Sequence, residues 1–320
     1  MDDTPEVRLP LFALDRKQSN MLRGIAILLV LLGHTQIVRM GGAGGVALFL
    51  ILSGYGLNSS CESRGLKDYW PRRFQKVWLP YFFVGILDVF LLRAQGAGAV
   101  LCTLTGLDLG LIADKTMWYV SYIFFWYLAY YMLARLFGGF AGRKKRVFVA
   151  AGLLLACVPC ILLSHVGFWH QGSGSKAYFL CFPLGVGMSA CRGFRTSRRL
   201  RTALWAAVLL GCAAYLCLPL LGVRDLTYLT AMSMAGAAIA VLQLLPVGGW
   251  PEKALLRIGE YSYPLYLVEG LFLLLWRDWV TAMPAKWMAD LAFFAASAAA
   301  AVLYWNLYRG IEKRLPVRRG

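Results

Sequence analysis

Charge is scarce in this chain of 320 residues. Charged side chains make up 15% of it and hydrophobic ones 59%. Soluble domains are about half apolar, so too little polar surface exists here to cover a water-facing globule. Acidic residues number 16 against 33 Lys and Arg, and there are three histidines. Two of these, His165 and His170, share the stretch 165–175 with Trp169. Without an acidic partner they are an incomplete metal set, so no metal site is expected and an interfacial aromatic belt or a sugar- or headgroup-lining surface is. Also missing are an internal repeat, a low-complexity tract and any polar stretch longer than a loop, which excludes a soluble domain. No A-x-A cleavage site follows the first apolar segment, so it reads as a retained helix. The eight cysteines are scattered through apolar segments, as small buried side chains rather than a disulfide framework. Cys157-Val-Pro-Cys160 has redox-like spacing but lies in an apolar helix.

What is present is hydrocarbon-compatible sequence. A helix crossing about 30 Å of lipid needs about 20 largely apolar residues. Ten segments qualify, roughly 22–39, 43–60, 78–94, 118–137, 146–164, 176–191, 199–217, 226–246, 261–277 and 289–308. The stretch 96–113, interrupted by glycines and Asp108, reads as a loop or half-inserted segment. With the N-terminus in the cytoplasm, 26 of the 33 Lys and Arg fall on inner segments. Cytoplasmic retention of Lys and Arg then fixes the orientation. The expected fold is an all-α polytopic bundle of about ten transmembrane helices with both termini cytoplasmic. It divides into a cytoplasmic segment 1–20, a bundle 21–309 and a basic tail 310–320. The net charge of +17 is spread in short runs beside apolar segments. That pattern is ordinary membrane electrostatics, and no nucleic-acid partner is expected.

Ionisable groups inside spans are costly and line cavities or pathways. His34, Ser53, Asp88 and Glu269 all fall near the middle of their expected helices. Arg23 and His34 lie eleven residues apart, about 16 Å along a helix, and return to one face within about 20°. These positions point to a polar chamber. An imidazole there can take a proton from a hydroxyl and return it. A carboxylate, Glu269 or Asp88, could orient the ring, and spacing does not choose between them. Arg72, Arg73 and Lys76 precede the third helix, where they can anchor headgroups or hold phosphates. The run Gly41–Gly45 matches no phosphate loop and is expected to form the turn between the first two helices.

Four stretches resemble the acyltransferase type 3 family of bacterial ten-helix membrane proteins. Leu22-Arg-Gly-Ile-Ala-Ile-Leu-Leu-Val-Leu-Leu-Gly-His34 is similar to its opening helix, and Gly45-Val-Ala-Leu-Phe-Leu-Ile-Leu-Ser-Gly-Tyr55 to its second. Tyr69-Trp-Pro-Arg-Arg-Phe-Gln-Lys-Val-Trp-Leu-Pro-Tyr81 resembles its basic loop, and Ile258-Gly-Glu-Tyr-Ser-Tyr-Pro-Leu-Tyr-Leu-Val-Glu269 its late segment. The resemblance implies transfer of an acyl group, commonly acetyl, from cytoplasmic acyl-CoA to a hydroxyl of a cell-envelope glycan or lipid-linked sugar. The setting implied is the bacterial plasma membrane. Acyl-CoA, acetyl-CoA above all, is a co-substrate, and no bound cofactor is implied. Carried onto this chain, His34 is the essential histidine and Arg23 its paired cation, while Glu269 and Asp88 are expected as catalytic carboxylates from their own mid-span placement. Arg23, Arg72, Arg73 and Lys76 engage acyl-CoA, while Ser53, Tyr55, Trp118 and Tyr266 line the chamber. His34 acts either as a base or as a covalent relay. The chain departs from the family pattern in three places. Lys76 replaces a second arginine, Trp118-Tyr-Val-Ser121 replaces a tryptophan–serine–leucine–serine motif, and Glu269 stands where many members have histidine. The rival reading is a transporter or flippase, because a polar midplane chamber suits one as well. No paired broken helices or inverted repeat favour it. An inert sensor or scaffold has no use for buried His, Asp and Glu.

Overall fold

In hydrocarbon every backbone N–H must find its partner within its own segment, so apolar stretches of this length fold as helices. The computed structural model describes residues 8–140, 142–169, 175–224, 226–275 and 283–312. Of the sequence expectations, residues 1–7 of the N-terminal segment, His170, the last two residues of the 261–277 span and the tail beyond 312 lie outside the described residues. A helix occupies each of the ten apolar segments. These are α1 (Arg16–His34), α2 (Gly41–Arg64), α3 (Tyr69–Leu91), α5 (Trp118–Leu136), α6 (Gly142–His165), α7 (Cys181–Ala190), α8 (Arg198–Cys217), α9 (Thr227–Leu244), α11 (Ser262–Leu275) and α12 (Lys286–Glu312). Two further helices fall between them, α4 (Gly96–Thr105) and α10 (Gly249–Glu260). Among the described residues, six helices are long and apolar enough to cross a membrane, namely α2, α3, α6, α8, α9 and α12. The helices α4, α7 and α11 are apolar but shorter.

The chain divides into two compact units, each assembled from separate stretches. The first comprises Met1–Lys67, Trp126–Leu162 and Lys176–Gly259. The second comprises Asp68–Phe125, Leu163–Ser175 and Glu260–Gly320.

In the first unit, helices approach backbone to backbone. A Cβ added at Gly33 would overlap Gly42, one at Gly45 the Ala26 carbonyl, and one at Gly54 the Phe182 carbonyl. Small residues permit this closeness, which replaces the hydrophobic effect as the source of helix association in lipid. The glycine run therefore serves differently from expectation. Gly41–Gly45 forms the first turns of α2 and packs on α1, and the connection is made by 35–40 instead. Gln36 and Met40 carry positive φ there. α1 also ends five residues earlier than expected, with His34 as its last residue. Its start is fixed by a capping box, in which the Asp15 carboxylate accepts from Gln18 N at 2.6 Å and Gln18 Oε1 from Asp15 N at 3.2 Å.

Residues 8–14, ahead of α1, are tied to the rest of the first unit. Strand β1 (Arg8–Pro10) pairs antiparallel with β2 (Arg195–Ser197), Leu9 opposite Thr196. Trp205 Nε1 donates to Leu11 O at 3.0 Å, Gln243 Nε2 donates to Ala13 O at 3.1 Å, and the Tyr55 hydroxyl accepts from Leu14 N at 2.9 Å. α10 is a helix where sequence suggested only an inner loop. Its Gly259 lies against the Asn20 carbonyl of α1, and Gly24 of α1 against its Leu255 carbonyl.

In the second unit, α3 carries a π turn at Phe74–Trp78, where the Leu79 N–H reaches back five residues to Phe74 O. Tyrosine hydroxyls from the late helices supply donors to the carbonyls around it. Tyr308 donates to Gln75 O at 2.7 Å, Tyr263 to Val77 O at 2.6 Å and Tyr304 to Pro80 O at 2.6 Å. The stretch 96–113 is part helix, α4, and part irregular, with Gly106 at φ +75 closing the helix.

Candidate functional site

α1 runs unbroken from Arg16 to His34, so Arg23 and His34 do share a face, about 16 Å apart along the axis. Arg23 is exposed and His34 half-buried. His34 stands at the C-terminal end of α1, not halfway along a longer helix. Ser53, half-buried, and Tyr55, buried, lie on α2 in the same unit. Tyr55 spends its hydroxyl on the Leu14 N–H, which holds the N-terminal segment to α2.

The second unit holds the other expected residues. Arg72 and Arg73 are half-buried and Lys76 exposed, all at the start of α3. The Arg73 guanidinium lies 5.6 Å from the centre of the Tyr69 ring, a cation–π contact that fixes its direction. Lys76 sits inside the π turn itself. The π register inserts an extra residue, which rotates the basic stretch relative to the apolar remainder of α3.

Further along α3, Asp88 is 0% exposed, and neither of its carboxylate oxygens accepts a hydrogen bond from the described residues. Glu269 on α11 is equally buried. A third acid, Asp114, shares an electrostatic neighbourhood with Asp88, and also with Tyr81 and Tyr266. Its Oδ1 accepts from Thr116 N at 2.7 Å and from Thr116 Oγ1 at 2.6 Å. Its other oxygen is seated against Gly270, where any Cβ would collide with it. Tyr266 donates to Thr116 O at 2.8 Å, and its ring meets Tyr119 edge-on at 5.6 Å. Trp118 is buried at the start of α5 and packs edge-on to Tyr122.

The expected site residues thus fall in two groups. Arg23, His34, Ser53 and Tyr55 belong to the first unit. Arg72, Arg73, Lys76, Asp88, Trp118, Tyr266 and Glu269 belong to the second. Sequence reading missed Asp114, which is 0% exposed. It lay between the 96–113 stretch and the expected 118–137 span, and its signal was an Asp-x-Thr turn ahead of an aromatic helix. Asp108, named only as an interruption, is 0% exposed too, and its carboxylate accepts from Gly110 N at 3.0 Å. Among the described residues no group of three or more His, Cys, Asp or Glu is arranged to hold a metal ion.

No curated protein and no solved structure matches the chain. A family model described as an acyltransferase domain matches residues 16–306, from the capped start of α1 nearly to the end of α12. Both groups of candidate residues lie inside that match, and the chain belongs to the acyltransferase type 3 family.

Proposed function

We propose that the protein is a membrane-embedded O-acyltransferase of the bacterial plasma membrane. It moves an acyl group, acetyl in the simplest case, from cytoplasmic acyl-CoA to a hydroxyl of a cell-envelope glycan or lipid-linked sugar. The group transferred is not an amino-acyl group. The observation that carries this reading is the family match over 16–306 together with an unbroken α1 that holds Arg23 and His34 on one face. Ten spans with both termini cytoplasmic go with it. The β1–β2 pairing supports that arrangement, since it requires the N-terminal segment and the basic 192–201 stretch to lie on one side of the membrane.

In the proposed reaction Arg72, Arg73, Lys76 and Arg23 hold the phosphates of acyl-CoA. His34 removes the acceptor hydroxyl proton as the oxygen attacks the thioester carbonyl. The C–S bond breaks, and the CoA thiolate takes the proton back from the imidazolium. A buried carboxylate, Glu269 or Asp88, stabilises the charged imidazole. Ser53, Tyr55, Trp118 and Tyr266 line the acceptor chamber.

The test is transfer of label from acetyl-CoA to envelope material in inverted membrane vesicles. Wild-type protein is expected to attach label covalently to a glycan or lipid, and His34→Ala at equal abundance to lose about 10²- to 10⁴-fold of that rate. Undiminished transfer by a folded His34→Ala protein would overturn the reading. Passage of acceptor across the membrane without modification would favour a carrier.

A further inference from the structure

A cavity of about 420 Å³ opens in the first unit where α2, α5 and α6 end or begin, and none of its lining residues has a role in the reaction above. Its volume lies within the range of small-molecule sites. Asn58, Glu62, Tyr130, Lys145 and Arg146 supply its polar lining, and Cys61, Leu66 and Val149 part of its apolar wall.

The polar floor is satisfied internally. Asn58 accepts from the Tyr130 hydroxyl at 3.0 Å and donates to Glu62 and Ser189, each at 3.1 Å. Glu62 also meets Arg192 at 3.0 Å, and Arg192 donates in addition to Ser59 Oγ. The one carboxylate in the cavity is therefore already matched by a cation. Lys145 and Arg146 have no acidic partner among the described residues, and the hydrogen bond Arg146 makes is to the Ala190 carbonyl at 3.3 Å. Both sit in the first turns of α6, which has no acidic residue there. A helix start carries partial positive charge and favours anions over cations. Side chains and helix dipole thus add to one positive field along the lining of the cavity.

We propose that this cavity is a phosphate site, carried by residues other than Arg72, Arg73 and Lys76. Lys145, Arg146 and the start of α6 take the oxygens of a phosphate ester, and the rest of the ligand lies along Cys61, Leu66 and Val149. The ester belongs either to a soluble metabolite or to an anionic phospholipid headgroup. Lysines retained merely to set topology need no cavity, which gives the test its control. Lys144 belongs to the same basic run but is exposed and does not line the space.

Thermal unfolding of the full-length protein in dodecyl maltoside is measured against sodium phosphate at constant ionic strength, and against micelles doped with phosphatidylglycerol or phosphatidylcholine. Phosphate or phosphatidylglycerol is expected to raise the wild-type midpoint, and phosphatidylcholine to leave it unmoved. Lys145→Ala and Arg146→Ala are each expected to weaken the effect about tenfold, the size of a lost charged hydrogen bond. Lys144→Ala should keep it within about twofold. A response to inorganic phosphate assigns a soluble ester, and a response to phosphatidylglycerol alone assigns a headgroup. Absence of both responses in the wild type, or equal weakening by Lys144→Ala, overturns the site. Should the variants fail to fold, acetylation of wild-type lysines by a water-soluble succinimidyl ester decides. Ligand must slow labelling of Lys145 several-fold and spare Lys144, and equal rates overturn the proposal. Neither readout requires turnover, so failure here leaves the acyltransferase reading standing, and the converse.

Discussion

The two units solve the same problem by different means. In the first, helices meet through glycines, and buried polar groups find complementary partners, as Asn58 does with Tyr130, Glu62 and Ser189. In the second, tyrosine hydroxyls reach across to backbone carbonyls, and one buried carboxyl, that of Asp88, accepts no hydrogen bond from the described residues. Close packing of small residues stabilises without adding chemistry. A buried acid with neither oxygen hydrogen-bonded costs stability, so its presence calls for a functional reason. The Asn58 cluster of the first unit is therefore explained by folding, whereas the burial of Asp88 in the second is not.

The largest expected effect tests the first half of that contrast. Gly185 on α7 faces the Ile51 carbonyl of α2 so closely that a Cβ would overlap it, and the obstacle is backbone, which cannot rotate away. Gly185→Val should cost about 3 kcal/mol or more, the upper end for overpacking, read as a lower midpoint in detergent. Gly187, two residues on, has open space around it. Gly187→Ala should be neutral or slightly stabilising, because alanine favours the helix by up to about 1 kcal/mol. Equal losses at both positions would show that close approach is not what holds this unit together.

The next effect has the opposite sign. Asp88→Leu removes a buried carboxyl without orphaning a partner, so stability should rise by about 1–3 kcal/mol. Transfer of labelled acetyl should fall at least about 10²-fold at equal abundance, the low end of what a positioned acid–base group contributes. A variant that is destabilised and fully active would place Asp88 with the structural residues and erase the difference between the units.

Much of this was legible in the sequence. Ten apolar stretches carry helices because length and hydropathy are local properties that lipid enforces on each segment separately. Arg23 and His34 share a face because α1 is regular between them, and periodicity suffices for that. The sequence misled where one residue type serves two ends. Gly41–Gly45 looked like a turn, since glycine permits sharp bends, but the same missing Cβ allows α1 and α2 to touch. Asp114 was hidden for a related reason. Its burial depends on Gly270, more than 150 residues away, and no local pattern reports such a pairing. The ordered N-terminal strand likewise rests on residues 195–197. A carboxylate partner for an imidazole is again a long-range matter, and spacing along the chain has no purchase on it.

The smallest effect separates ordinary tyrosine burial from repair of a backbone defect. In the π turn each carbonyl bonds to the N–H five residues on. For Gln75 that residue is Pro80, which has no N–H to give, and the Tyr308 hydroxyl stands in its place at 2.7 Å. Tyr308 is 2% exposed, so Tyr308→Phe leaves the carbonyl buried and undonated. The expected loss is about 1 kcal/mol in thermal stability. The double variant Tyr308→Phe with Pro80→Ala restores a backbone donor at position 80 and should recover most of that loss. Simple additivity of the two changes would mean that the hydroxyl does not compensate for the proline. The π turn would then owe its persistence to the aromatic packing of the second unit, not to its tyrosine hydroxyls.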